Sequence, residues 1–166
     1  LLTRALGRRR SWLLVSQLCI VGALVGMALA DPRQGLDAVV WFALAVAFAS
    51  ATQDIALDAF RIESADAQRQ GALAATYQTG YRLAMIWAGA GVLWIAARAE
   101  VGGATGYQQA AWTTAYLVMA ASMAVGVLTV LFSREPVRMA LPPARNAAEW
   151  LQGALIEPFT DFLRRY

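Results

Sequence analysis

The feature that most constrains this chain is a set of four long apolar runs. Ser11 to Ala30 and Ala110 to Phe132 contain no charged residue. A helix rises about 1.5 Å per residue, so about 20 residues cross the roughly 30 Å hydrocarbon layer of a membrane. The runs 38–60 and 71–97 contain three charged residues between them. The sequence therefore predicts an all-α integral membrane fold with four transmembrane helices, at about 11–30, 38–60, 71–97 and 110–132.

Composition excludes a soluble domain. Hydrophobic residues make up 59% of the chain and charged residues 15%, and a soluble core of this size could not bury so much apolar surface. The chain opens with Leu1 and has no short apolar segment followed by a small-residue cleavage site, the pattern of a signal peptide. We therefore expect it to be a piece of a longer protein.

The placement of the arginines predicts the orientation in the membrane. All basic residues are arginine, and they lie between the apolar runs rather than along one face, which argues against a nucleic-acid partner. The segments before residue 11, from 61 to 70 and after 133 hold eleven arginines, whereas the other two loops hold only Arg33 and Arg98. Because cytoplasmic loops carry the arginine excess, both ends are predicted to be cytoplasmic, with residues 1–10 forming a cytoplasmic loop.

The last part of the chain, 134–166, reads as a cytoplasmic linker. Pro136, Pro142 and Pro143 interrupt any regular helix there. From residue 147 onward, apolar side chains recur at helical spacing among charged ones, which predicts an amphipathic helix that lies on the membrane surface and leads to another span. These apolar residues are Trp150, Leu151, Leu155, Phe159, Phe162 and Leu163.

Several kinds of chemistry are excluded within this chain. Cys19 is the single cysteine and there is no histidine, so disulfides, Cys/His zinc sites and histidine acid–base catalysis are not possible here. We expect no metal site and no cofactor.

Carboxylates inside the second apolar run are candidate pathway residues. Gln53 and Asp54 lie near its end, and Asp58 follows four residues later on the same helix face. A charged carboxylate in hydrocarbon costs at least about 2–3 kcal/mol, so such residues normally face a cavity, a partner charge or water. We interpret Asp54 with Gln53 as a substrate or proton site. For Asp58, close to the cytoplasmic boundary, an ion pair with Arg61 or another loop arginine is favoured.

Arg82 lies near the middle of the third run and needs an anion. One interpretation is a buried ion pair with Asp54 on the neighbouring antiparallel helix. The other is that its planar guanidinium binds a carboxylate of a substrate. Tyr77, Gln78 and Tyr81 supply hydrogen-bonding groups that a lipid-facing helix does not need, which favours a cavity at this level.

An enzyme is the alternative from another class. Asp54 and Asp58 form the D-x-x-x-D pair with which membrane prenyltransferases and phosphatidyltransferases bind a metal diphosphate. Such enzymes need further acidic residues on a second helix, and the other predicted spans contain no Asp or Glu. The sequence therefore favours a transporter over an enzyme.

Three stretches resemble the AmpG-type muropeptide permeases of the major facilitator superfamily. They are Gly7 to Leu14 (GRRRSWLL), Ala49 to Phe60 (ASATQDIALDAF) and Gly80 to Met85 (GYRLAM). The resemblance runs in order along nearly the whole chain. It implies spans three to six of a transporter with twelve or slightly more helices, within its N-terminal half and followed by the central linker.

This resemblance implies import of anhydromuropeptides, which are GlcNAc-anhydroMurNAc sugars carrying short peptides, from periplasm to cytoplasm for peptidoglycan recycling. Protons would drive the import across the inner membrane, and the remaining helices of the same transporter would complete the pathway, because four spans cannot enclose one. By position, Gln53, Asp54, Asp58, Tyr81 and Arg82 match the motif residues. Another anionic substrate such as acetyl-CoA stays open.

Overall fold

The computed structural model describes residues 3, 6–100, 102, 106–136, 146 and 152–165. Within these residues the regular structure is helical and there is no strand. Four helices are long and apolar enough to cross a membrane, which confirms the predicted all-α membrane fold. They are α1 (Arg8–Leu29), α2 (Asp37–Glu63), α3 (Gln70–Ala99) and α4 (Gln109–Phe132), and a shorter helix, α5 (Glu157–Arg165), follows.

Helix α1 lies at the centre of the packing. It contacts α2 on one side and α4 on the other, and the end of α3, Val92–Ala99, packs against α4. The buried core residues Leu13, Leu14, Ala56 and Val130 come from α1, α2 and α4. The most apolar stretch of α1 is 39% buried, but the corresponding stretches of α2 and α3 are only 6% and 11% buried. Helices α2 and α3 therefore carry large open faces.

Close approach of α1 and α2 requires a glycine at one position. The sequence pattern Gly22-x-x-x-Gly26 suggests close helix packing. A Cβ added at Gly26 would overlap the ring of Phe42, whereas one added at Gly22 would meet no neighbouring atom. Only the second glycine of the pair is thus needed for the contact with α2.

Helix α3 contains a π-helical turn, Trp87–Gly91. The preceding segment, Gln70–Ile86, is not packed along α2, whereas the following segment, Val92–Ala99, packs on α4. Such turns insert one extra residue into the helix and are frequent at functional sites. The turn therefore separates the open half of α3 from its anchored half.

Much of the predicted linker lies outside the described residues, including Trp150 and Leu151. A π-helical turn, Gln152–Ile156, leads directly into α5. Phe159, Phe162 and Leu163 are exposed on α5. The placement of this helix on the membrane surface stays a prediction.

Candidate functional site

The carboxylates of α2 and the polar residues of α3 form the first part of the candidate site. Asp58 Oδ1 lies 3.3 Å from Arg61 Nη2, and the Asp58 side chain is half exposed. The structure thus contains the Asp58–Arg61 ion pair that the sequence favoured. The Arg61 guanidinium also lies 5.0 Å from the centre of the Tyr77 ring, a cation–π contact that joins α2 to α3.

A cavity of about 320 Å³ opens beside this contact. Tyr77 forms one wall and stacks on Tyr81, with ring centres 6.4 Å apart. The cavity is lined by Leu57, Phe60, Arg61, Ser64, Leu73, Thr76 and Tyr77. It combines aromatic, aliphatic and cationic groups, as an amphipathic ligand would need.

The proposed ion pair between Asp54 and Arg82 is absent from this structure. Within residues 6–100 and 106–136, the ion pairs are Arg9–Glu63 and Asp58–Arg61. Asp54 and Arg82 are both exposed. The first segment of α3, Gln70–Ile86, makes little close backbone contact with α2, whereas α2 is packed against α1. Sequence reasoning had assumed that the two helices stay side by side.

The remaining candidates lie on two different faces. Gln78 and Tyr81 are exposed on the open half of α3, on the same stretch as Arg82. Gln53 instead lies in the same row as Ala49 and Ala56, the two buried residues of α2, and its Oε1 is buried without a hydrogen-bond partner. Gln53 therefore belongs to the packed face of α2, whereas Asp54 belongs to the open one.

A charged clamp joins the start of α1, the end of α2 and the segment that follows α4, at the predicted cytoplasmic end. Arg9 donates from Nε to Glu63 Oε2 at 2.9 Å and from Nη2 to Glu63 Oε1 at 2.5 Å. The Glu135 carboxylate accepts hydrogen bonds from the backbone N–H groups of Arg9, at 2.8 Å, and Arg10, at 3.1 Å. A carboxylate at a helix N-terminus satisfies free N–H groups and complements the helix dipole. We name Arg9, Glu63 and Glu135 the charged clamp.

Two neighbouring residues support the clamp. Arg10 donates to the carbonyl oxygens of Val130, at 2.9 Å, and Leu131, at 2.6 Å, and so closes the free end of α4. Gly7 has a φ of 90°, and a Cβ there would collide with Glu135. Sequence reasoning missed the clamp, although an arginine run beside two glutamates at the ends of spans was a visible signal.

A second contact joins the loops at the opposite end. Arg33 donates from its guanidinium to the Tyr107 carbonyl oxygen and lies 5.2 Å from the centre of the Tyr107 ring. Burial, with a smaller contribution from Asp31, raises the pKa of the Tyr107 phenol. Thr113 Oγ1 donates to the Ala28 carbonyl oxygen at 2.7 Å, which ties the start of α4 to the end of α1.

Comparison with known proteins reveals the relatives of the chain. No family model and no solved structure matches it. It is 32% identical over 159 residues to the anhydromuropeptide permease of Escherichia coli (strain K12), a match that covers 96% of this chain and 29% of that protein. It is also 32% identical over 161 residues to putative transporter AmpG 4 of Rickettsia felis, which covers 96% of this chain and 36% of the relative. The chain is homologous to one segment of the AmpG-type permeases.

The chain spans about a third of the length of these AmpG relatives. A further relative, putative transporter AmpG 4 of Rickettsia conorii, is 30% identical over 161 residues. These proteins are named as permeases or transporters rather than as enzymes, which agrees with the prediction of a transporter. Together with four helices that are long and apolar enough to cross a membrane, these relatives support a multi-pass membrane protein.

Loss of the clamp is expected to destabilise the full-length parent protein. In the full-length parent, Arg9→Gln should lower the free energy of unfolding by about 1 kcal/mol, because the bond to Glu63 is bidentate but partly exposed. Thermal unfolding in detergent measures this change. Arg8→Gln is the matched control, since Arg8 is exposed on the neighbouring position. Equal unfolding midpoints for the two variants would show that the clamp does not stabilise the fold.

Proposed function

We propose that the full-length protein imports anhydromuropeptides from the periplasm to the cytoplasm across the inner membrane, and that this chain supplies four of its spans. The observation that carries the proposal is the match of 96% of the chain to a protein named anhydromuropeptide permease. The polar residues on open faces of α2 and α3 support it, because a transport pathway needs such residues inside the membrane.

The open face has the chemistry of an amphipathic sugar-peptide ligand. Tyr77 and Tyr81 offer stacked rings on which the apolar face of a sugar can lie. Arg82 offers a planar guanidinium that can bind a peptide carboxylate through two parallel hydrogen bonds. The other helices of the transporter would cover this face and leave a cavity between the two halves of the protein, as in transporters built from repeated halves.

The charged clamp marks the inner, cytoplasmic side of the membrane in this proposal. It lies beside the arginine-rich leading end, and retained arginines favour the cytoplasm. The Arg33–Tyr107 contact then faces the periplasm, from which the muropeptide enters. Both ends of the described segment are cytoplasmic in this orientation.

Proton coupling is assigned to Asp54 on the open face of α2. A carboxylate that exchanges contact with water for a dry cavity gains affinity for a proton. Asp54 is the candidate for this role because it is exposed and has no ion-pair partner among the described residues. The proton gradient would then drive import.

Uptake of labelled anhydromuropeptide by the full-length parent in proteoliposomes tests the proposal. We expect uptake to rise with an inward proton gradient and to stop when a protonophore is added. Absence of uptake would contradict the substrate, and uptake that is insensitive to the protonophore would contradict the coupling. Uptake of labelled acetyl-CoA, with no uptake of labelled muropeptide, would point to the alternative anionic substrate.

Asp58 is expected to be structural rather than part of the pathway. Asp58→Asn should leave muropeptide uptake within about twofold of the wild type, because half-exposed ion pairs contribute only about 0–1 kcal/mol. The uptake rate at equal membrane protein level is the measurement. A loss as large as that of an Asp54 variant would instead place Asp58 in the proton pathway.

A further inference from the structure

A polar site lies buried between α1, α2 and α4. Gln17 of α1 is only 4% exposed, and its side-chain oxygen Oε1 has no hydrogen-bond partner. Its Nε2 points toward α4, where a Cβ added at Gly126 would lie 3.0 Å away. The missing side chain of Gly126 therefore leaves room for the Gln17 amide.

The second polar group of this site comes from α2. Gln53 lies between Ala49 and Ala56 on the helix row that faces α1, and its Oε1 is also buried and unpaired. Within the part of the chain that the structure describes, these two amide oxygens are the buried side-chain oxygens without a partner. Both belong to glutamines in otherwise apolar surroundings.

Helix register places the two glutamines at the same level. Leu13, Leu14 and Ala56 pack in one cluster. Gln17 lies one turn beyond that cluster along α1, and Gln53 lies one turn before it along α2. Since α1 and α2 run antiparallel, both displacements go in the same direction along the bundle, which places the two glutamines at about the same level.

We propose that Gln17 and Gln53 form a hydration site in the helix core, in which one water molecule donates a hydrogen bond to each amide oxygen. Buried polar groups nearly always have a partner, either in the protein or in water. A buried water typically makes about three hydrogen bonds, and two acceptors facing one layer provide two of them. Water fits this layer because it is small and can donate twice.

The hydration site also has a consequence for transport, and this step rests on the proposed function. Gln53 precedes Asp54 in the chain, so the water ties the helix that carries Asp54 to α1. Gln17 does not touch the open face itself. It is therefore a positioning residue that holds α2 in the orientation that presents Asp54 to the pathway.

Solid-state NMR on the full-length parent in liposomes tests the water directly. In a uniformly ¹⁵N-labelled sample, magnetisation that starts on water should reach the Gln17 side-chain amide much faster than the Gln17 backbone amide. Gln17→Leu assigns the side-chain signal by removing it, and exposed Gln34 gives the rate for a hydrated amide. Equal slow transfer to the side-chain and backbone amides of Gln17 would overturn the proposal and indicate a dry amide–amide contact.

A double-mutant cycle gives a second, independent test. Gln17→Leu and Gln53→Leu should each lower the thermal unfolding midpoint by a few degrees, because each leaves the other amide with an incomplete set of partners. The double variant should recover toward the wild-type midpoint, since two apolar side chains leave no unpaired acceptor. Gln34→Leu is the matched control and should not change the midpoint. Additive losses would contradict a shared water.

Transport kinetics separate positioning from stability. Gln17→Leu is expected to lower the maximum rate of muropeptide uptake several-fold with an unchanged KM, since Gln17 does not contact the substrate. If NMR shows that Gln17 is hydrated in the wild type but Gln17→Leu leaves the maximum rate unchanged, Gln17 does not position Asp54. The NMR result does not depend on the identity of the substrate, so a failure of the hydration site can be distinguished from a failure of the proposed function.

Discussion

Replacing Arg82 by glutamine in the full-length parent should lower muropeptide uptake about 100-fold at an unchanged protein level. Arg82 lies on the open half of α3 and has no ion pair among the described residues, and an arginine at this depth does not face lipid. Once the other helices enclose the site, loss of its bond to a substrate carboxylate costs about 2–5 kcal/mol, and each 1.4 kcal/mol is about tenfold in affinity.

Arg98→Gln is the matched control for this prediction. Arg98 lies at the end of α3 and its guanidinium lies 4.8 Å from the centre of the Trp94 ring, away from the open polar face. The same substitution there should leave uptake nearly unchanged. Equal uptake by the two variants, or normal uptake by Arg82→Gln, would mean that Arg82 does not bind substrate.

Replacing Asp54 by asparagine should abolish proton-driven accumulation while leaving substrate binding intact. Asparagine keeps the size and hydrogen-bonding oxygen of the side chain but cannot take up a proton. We expect accumulation to fall to the level that the wild type reaches with a protonophore, whereas exchange of labelled for unlabelled muropeptide across the membrane continues.

The comparison between accumulation and exchange makes the Asp54 prediction specific. A misfolded variant would lose both activities, and a substrate-binding residue would lose exchange as well. Asp58→Asn is the control, because its carboxylate already pairs with Arg61. Accumulation by Asp54→Asn that still responds to the proton gradient would place the coupling group elsewhere in the transporter.

The four spans could be predicted from sequence because the thickness of the membrane sets the length of each apolar run. The ends of the helices depend instead on contacts between polar residues outside the apolar runs. Helix α2 continues past Phe60 to Glu63, where Glu63 is held by Arg9 of α1. The polar residues at the end of a span lower its mean hydropathy. Hydropathy therefore predicts an earlier end for the helix and does not reveal the ion pair between Glu63 and Arg9.

The candidate site was only partly predictable for the same reason. The Asp58–Arg61 pair is local, since its residues are three positions apart on one helix. The clamp joins residues 54 and 126 positions apart, and a single sequence gives no information on which distant charges meet. The Asp54–Arg82 pair, one of the two interpretations of Arg82, required α2 and α3 to lie side by side, whereas Gln70–Ile86 of α3 makes little close contact with α2.

The burial of Gln17 could not be predicted from hydropathy either. It is an uncharged polar residue in a run of apolar ones, and nothing in the sequence distinguishes it from a residue at the helix surface. Its importance appears only from its burial and from the unpaired oxygen in the layer that it shares with Gln53. Burial depends on how α1 packs between α2 and α4, which composition does not reveal.

Cysteine labelling tests most directly whether the open face of α3 lines the muropeptide pathway. In a full-length parent without native cysteines, which includes Cys19→Ala, Gln78→Cys places one thiol on this face, and Val125→Cys places one on the exposed apolar surface of α4. We predict that a charged, membrane-impermeant thiol reagent labels Gln78→Cys but not Val125→Cys, and that anhydromuropeptide slows the labelling. A Gln78→Cys variant that is unreactive, or that reacts at the same rate with and without muropeptide, would contradict the assignment of this face to the transport pathway.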